Sequence, residues 1–156
     1  MRPGTENMPG IVGFGKAAEI RKAKLEKIIA DLQNMRDAFE QAVLAEIHDV
    51  HVNGSVEHRV CNTTNLRFKG VDGQALLAQL DAVGIQCSQS SACTAQIPEA
   101  SHVLRAMGLS EKEAFSSIRF SFSELNTFEE IEKVVEVLTK RVSALREFNI
   151  SYCSRD

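Results

Sequence analysis

The chain has 156 residues, of which 44% are hydrophobic and 25% charged, and its formal net charge is −3 at pH 7. This composition suits one globular core and excludes a disordered chain. The slight acidity, without a basic stripe, predicts neither a nucleic-acid partner nor binding to an anionic membrane. The sequence contains no apolar run of transmembrane length and no signal-peptide core.

The cysteines Cys61, Cys87, Cys93 and Cys153 are scattered and form no CxxC pair. This usage predicts a reducing, cytoplasmic setting. A zinc site that combines Cys61, Cys87 and Cys93 with one of the histidines has no spacing in its favour, so no metal is predicted.

The N-terminal third predicts one long amphipathic helix. After a turn-rich start, apolar residues recur at steps of three or four along residues 11–47, and Pro9 suits a first helical turn. A straight helix of that span is about 55 Å long, whereas a compact domain of this size is about 40 Å across. Either the helix bends near Gly13 and Gly15, or its first turns lie against a partner, which is the outcome we favour.

The middle of the chain predicts a small sheet and a second helix. Alternating apolar residues predict strands within 48–54 and at 63–68. Asp72 is placed to cap a helix that buries Leu76, Leu77 and Leu80.

A third alternating stretch precedes the most reactive candidate. Residues 83–88 predict a short strand with Cys87 inward, and small polar residues then follow up to Cys93. Cys93 is therefore predicted to be an exposed thiol in a loop, where it can act as a nucleophile. On composition alone, the interpretation that Cys93 is a loop cysteine without a role is as good as the interpretation that it is a nucleophile.

The last third predicts two short helices, a strand and a long helix. A helix at 98–107 ends at Gly108, and a capping box starts another at Ser110. In the strand 117–122, alternation places Arg119 on the face opposite the apolar residues. The fold class is therefore α+β, in which a small antiparallel or mixed sheet packs against a long N-terminal, a middle and a C-terminal helix.

Six stretches, in matching order and spacing, resemble the cysteine desulfurases, which belong to the class V aminotransferases among the fold-type I pyridoxal-phosphate enzymes. The stretches are RPGTEN at 2–7, PGIVGFG at 9–15, GVDGQALL at 70–77, SSACT at 90–94, PEASHVLRAMGL at 98–109 and SSIRFSFS at 116–123. The resemblance covers only the C-terminal part of the family's chain. It implies a junction segment at 1–23, a small domain at 24–148 and a frayed tail at 149–156.

The resemblance also implies roles for four residues. Cys93 matches the nucleophile that takes sulfur from L-cysteine as a persulfide and leaves alanine. Arg119 matches the arginine that binds the substrate carboxylate. Gly4 and Thr5 match the segment that reaches the cofactor phosphate of the neighbouring subunit.

The family implies pyridoxal phosphate, a homodimer and a sulfur-acceptor or scaffold protein for iron–sulfur cluster assembly or another sulfur-transfer pathway. The lysine that holds the cofactor belongs to the large domain, which has no counterpart here, so this chain alone is expected to bind no cofactor and to be inactive as a desulfurase. The alternatives are a free-standing persulfide carrier and a non-catalytic relic.

Overall fold

The computed structural model describes residues 4–89 and 100–153, with side chains up to residue 149. These residues form a three-stranded antiparallel sheet, in the order β1-β2-β3, and five helices. The α+β class is thus confirmed, and the sheet is antiparallel. The elements are α1 (Met8–Glu46), β1 (Val50–Val52), β2 (Thr63–Phe68), α2 (Gly73–Asp81), α3 (His102–Ala106), α4 (Glu111–Phe115), β3 (Ser117–Ser121) and α5 (Phe128–Cys153).

The first helix is long and uninterrupted, as predicted. Asn7 caps it by accepting a hydrogen bond from the Gly10 amide at 3.1 Å. Its 39 residues correspond to a length of about 58 Å, and it continues through Gly13 and Gly15. Residues 4–27 are all exposed, and Ile28 is the first buried position.

The core lies between the second half of α1, one face of the sheet, α2 and α5. Phe39 of α1 is 1% exposed, and its ring centroid lies 5.0 Å from that of Phe120 and 5.4 Å from that of Phe122. Leu66 and Phe68 of β2 and Leu138 of α5 are fully buried in the same cluster. The predicted inward faces of β2, β3 and α5 are therefore confirmed.

The same α1 surface carries a buried ionic cluster. The guanidinium of Arg59 donates two hydrogen bonds to the Glu40 carboxylate, and these side chains are 15% and 8% exposed. Arg36, which is 3% exposed, donates to the carbonyl of Val60 at 2.8 Å. This cluster fastens the loop between β1 and β2 to the helix.

The predicted strand at 83–88 is wrong except at its last residue. The segment leaves α2 through a turn in which Gly84 has a φ of +80°, and only Ser88 forms a bridge, to Arg119. Cys87 nevertheless packs against the core and is half-buried, as its inward position requires. Ile85 also packs against the core, whereas Val83 is exposed, so the alternation reflects burial only in its second half and without continuous backbone pairing.

Two predicted helix boundaries also differ from the structure. The helix expected at 98–107 begins at His102, with Ser101 as its cap, and Pro98 lies outside the described residues. The last helix runs to Cys153, into the expected tail 149–156, and its Asn149 donates to the carbonyl of Gly70 at 2.9 Å.

Candidate substrate-binding site

Arg119 lies in the middle of β3 on the polar face of the sheet, as its place in the alternation predicts, and it is exposed. Its guanidinium has no hydrogen bond or ion pair within 4–89 and 100–153. Arg67, on the same face, instead forms an ion pair with Glu113. Of these two arginines, Arg119 is the one available for an external carboxylate.

A chain of hydrogen bonds crosses the polar face beside Arg119. The hydroxyl of Ser117 donates to the carbonyl of Glu113 at 2.7 Å. The amide nitrogen of Asn53 donates to Ser117 Oγ at 3.0 Å and to Asn65 Oδ1 at 2.7 Å. Sequence analysis did not single out these residues, because the alternation of β2 gives their face but not their neighbours on β1 and β3.

The segment that leads to Cys93 is attached directly to the Arg119 backbone. Ser88 N–H donates to the Arg119 carbonyl at 3.1 Å, and Arg119 N–H donates to the Ser88 carbonyl at 2.6 Å. The next side chain, Gln89, donates to the carbonyl of Phe115 at the end of α4. A Cβ atom on Gly73 would lie 2.2 Å from that carbonyl oxygen and 2.5 Å from Gln89 Nε2, so the close approach requires glycine here.

Cys93 itself belongs to residues 90–99, which lie outside the described residues. Cys87 and Cys61 are half-buried. Burial raises the pKa of the Cys87 thiol to about 11, with a smaller contribution from Asp81. Cys87 is therefore a poor nucleophile near neutral pH, because it is almost entirely protonated there.

Gly4 and Thr5 are exposed and precede α1, and Gly4 has a φ of +147°. No hydrogen bond joins either residue to the sheet in the part of the chain that is described. The structure therefore does not bring them together with Arg119, and their role stays a prediction.

All eight lysines of the chain lie at described positions, and each is exposed. An aldimine-forming lysine needs surroundings that lower its pKa and exclude water, so these residues do not fit a self-sufficient pyridoxal-phosphate site. Across 4–89 and 100–153, no group of three His, Cys, Asp or Glu residues is placed to hold a metal ion. Over the same residues, no helix has the length and hydropathy to cross a membrane.

The described residues thus form a small α+β domain whose antiparallel sheet carries an exposed arginine. Residues 1–134 match the family described as aminotransferase class-V. That match extends over most of the chain, which therefore belongs to the class V aminotransferase family.

Several similar proteins are named as cysteine desulfurases. The chain is 48% identical over 145 residues to a cysteine desulfurase of Trichormus azollae, covering 93% of this chain and 36% of that protein. A cysteine desulfurase of Sinorhizobium fredii is 43% identical over 146 residues, with 94% and 38% covered. The chain thus spans little more than a third of the curated relatives that it matches.

Solved structures agree with this relationship. A NifS-like protein from Rickettsia africae superposes with a TM-score of 0.77 at 32% identity, over 91% of this chain and 36% of that one. Another NifS-like protein gives a TM-score of 0.78 at 28% identity, over 92% and 36% of the two chains.

Proposed function

We infer that this chain is the C-terminal small domain of a cysteine desulfurase and that it supplies the thiol and the carboxylate-binding arginine of the reaction. The observation that carries the proposal is the pairing of Ser88, five positions before Cys93, with the backbone of Arg119, whose exposed guanidinium has no partner among the described residues. The relatives named as cysteine desulfurases give the substrate class, L-cysteine.

Covalent geometry limits how far the thiol can lie from the arginine. Cys93 lies five positions after Ser88, which is hydrogen-bonded to Arg119. An extended chain of five residues spans at most about 18 Å. A thiol on such a tether can reach a small substrate whose carboxylate is bound by Arg119.

The roles follow from the two side chains. The Arg119 guanidinium offers parallel N–H donors that match a planar carboxylate and fix its orientation. The Cys93 thiolate attacks the substrate sulfur, an S–S bond forms as the C–S bond breaks, and the substrate thiol proton ends on the carbon that becomes the methyl group of alanine. The product left on the protein is a persulfide, which an acceptor or scaffold protein then receives.

Pyridoxal phosphate, when bound in the complete enzyme, supplies the electron sink for C–S cleavage. We propose that the complete enzyme is a homodimer in which Gly4 and Thr5 approach the cofactor phosphate of the neighbouring subunit. The eight exposed lysines support the expectation that this chain alone holds no cofactor and does not turn over cysteine.

A chimera tests the proposal. The matching 36% of the Trichormus azollae cysteine desulfurase is replaced by this chain, and alanine release from L-cysteine is measured. The chimera should be active, Cys93→Ser should abolish turnover, and Arg119→Lys should lower kcat/KM about 10- to 100-fold. Cys87→Ser is the matched control, because a buried, protonated thiol contributes no nucleophile.

Cofactor absorbance provides the folding check for each variant. A chimera that binds pyridoxal phosphate but stays active after Cys93→Ser would contradict the proposed nucleophile. The chain alone, mixed with pyridoxal phosphate, should give no stoichiometric imine band. A band that disappears on substitution of a single lysine would contradict the expected dependence on a missing domain.

A further inference from the structure

We propose that Asn65 is a second anion-binding residue, whose amide nitrogen donates to the same carboxylate as Arg119. The proposal deepens the function proposed above and rests on it, because both concern one site. Two independent features carry it: the register of the sheet and the direction of the hydrogen-bond chain that ends at Asn65.

The register places Asn65 directly opposite Arg119 on the neighbouring strand. Phe68 N–H donates to the Ser116 carbonyl at 2.9 Å, so this pair is of the hydrogen-bonded kind. Bonded and non-bonded pairs alternate along an antiparallel ladder, and the Asn65–Arg119 pair, three positions away, is therefore non-bonded. Non-bonded pairs have the closest side chains, with Cα atoms about 4.5 Å apart.

The hydrogen-bond chain fixes the direction of the Asn65 amide. It starts at the backbone carbonyl of Glu113, which can only accept, so the Ser117 hydroxyl must donate to it. Ser117 Oγ then accepts from the Asn53 amide nitrogen, and the same nitrogen donates to Asn65 Oδ1. A flipped Asn65 would place two donor groups against each other, so its oxygen faces β1 and its nitrogen is left for another partner.

That nitrogen makes no hydrogen bond within the described parts of the chain, and Asn65 is only half-buried. The register thus places this nitrogen, with its two N–H groups, on the residue directly opposite Arg119, whose guanidinium also has no acceptor within the described parts of the chain. Arg67, the next arginine on this face, already forms an ion pair with the carboxylate of Glu113. The Asn65–Arg119 pair therefore presents donors only, an arrangement that favours an anion with several acceptor atoms.

Side-chain ¹⁵N NMR of the chain tests this directly. The probe is L-alanine, which carries the carboxylate, and L-alaninamide, which lacks it, is the matched control ligand. Titration should shift the Asn65 amide and Arg119 guanidinium signals with L-alanine only. Asn65→Leu, which keeps the approximate size but removes the donors, should raise the Kd about three- to tenfold.

Two further variants separate a direct from a structural effect. Asn65→Asp still accepts a hydrogen bond from Asn53 but replaces the N–H donors by a carboxylate that pairs with Arg119, so binding of L-alanine should be lost. If Asn65→Leu does not fold, this variant alone tests the role of Asn65. Thr63→Val, on the same face and strand, should leave the Kd unchanged.

If Arg119 responds to L-alanine while Asn65→Leu and Asn65→Asp both keep the parent Kd, the role of Asn65 is wrong and that of Arg119 stands. If Arg119 does not respond at all, the carboxylate site proposed for Arg119 in this chain is wrong, and the inference fails with it.

Discussion

The two halves of α1 have the same helical geometry and similar apolar spacing, but only one of them is covered. In the first half, Phe14 is 79% and Val12 65% exposed, whereas in the second half Phe39 is 1% and Val43 0% exposed. The sequence pattern therefore marks a surface suited to burial, but it does not say which part of the protein covers it. The aligned residues make up 36% of the Trichormus azollae relative, and we expect the cover to come from further residues of a longer protein or from a second copy.

The largest difference in stability should appear when a phenylalanine is truncated to alanine in each half of α1. Phe39→Ala should lower the free energy of unfolding by about 3–5 kcal/mol, because it leaves a cavity among Phe120 and Phe122. Phe14→Ala should change it by less than about 0.5 kcal/mol, since the ring has no cover. Urea unfolding followed by circular dichroism measures both, and similar losses would show that the first half is covered in solution.

A smaller difference in stability is expected between breaking a buried and breaking an exposed ion pair. Glu40→Ala removes the two hydrogen bonds of the largely buried Arg59 and should lower the free energy of unfolding by up to about 3 kcal/mol, because the guanidinium keeps only the more distant carboxylate of Asp37, at 3.6 Å. Glu19→Ala breaks the exposed pair with Lys16 and should cost no more than about 0.5 kcal/mol. The free energies of unfolding of both variants are measured with and without 1 M salt. Salt should reduce only the effect of Glu19→Ala, since only the exposed pair is screened.

Association through the uncovered half is the third expectation. The chain should self-associate through residues 9–23, because this surface otherwise leaves large apolar side chains in water. Sedimentation of the chain beside a variant with Ile11, Val12 and Phe14 changed to serine should show a loss of association. An ordered monomer in both cases would contradict the idea that this face needs a partner.

The smallest effect concerns thiol chemistry. Alkylation of the folded chain should modify Cys93 well before Cys87, whose pKa is raised to about 11 by burial. At pH 8, roughly one Cys87 thiol in a thousand is ionised. The rate at Cys87 should rise up to about pH 11, and peptide mapping follows it; earlier modification of Cys87 than of Cys93 would contradict the assignment.

The same shift makes stability depend on pH. The folded state holds the Cys87 proton more tightly than the unfolded chain does. The resulting contribution to the free energy of unfolding is therefore present below the ordinary thiol pKa of 9.0 and is lost as the pH rises towards about 11.

Much of the fold could be predicted because its signals are local. The alternation in β2 and β3, the Asp72 cap and the Ser110 capping box depend on residues within a few positions of one another, and all are confirmed. The prediction of a strand at 83–88 was wrong because a strand needs a continuous partner, and within this stretch only Ser88 has one.

The site was predictable to a lesser degree. Alternation alone placed Arg119 on the polar face, but the neighbours Asn53 and Asn65 follow from strand register, which one sequence does not specify. The roles of Cys93, Gly4 and Thr5 depend on family resemblance and stay predictions.

The contact of Gly73, Gln89 and Phe115 has a consequence for folding order. Gln89 and Phe115 are 26 positions apart along the chain, and such non-local contacts form late, after their loop-closure entropy is offset by other contacts. The start of the Cys93 segment is thus fixed beside Arg119 only when α2, α4 and β3 have come together. Under the function proposed above, an incompletely folded chain would carry the thiol of Cys93 without this attachment of the preceding residues, and we therefore expect it not to present the thiol for sulfur transfer.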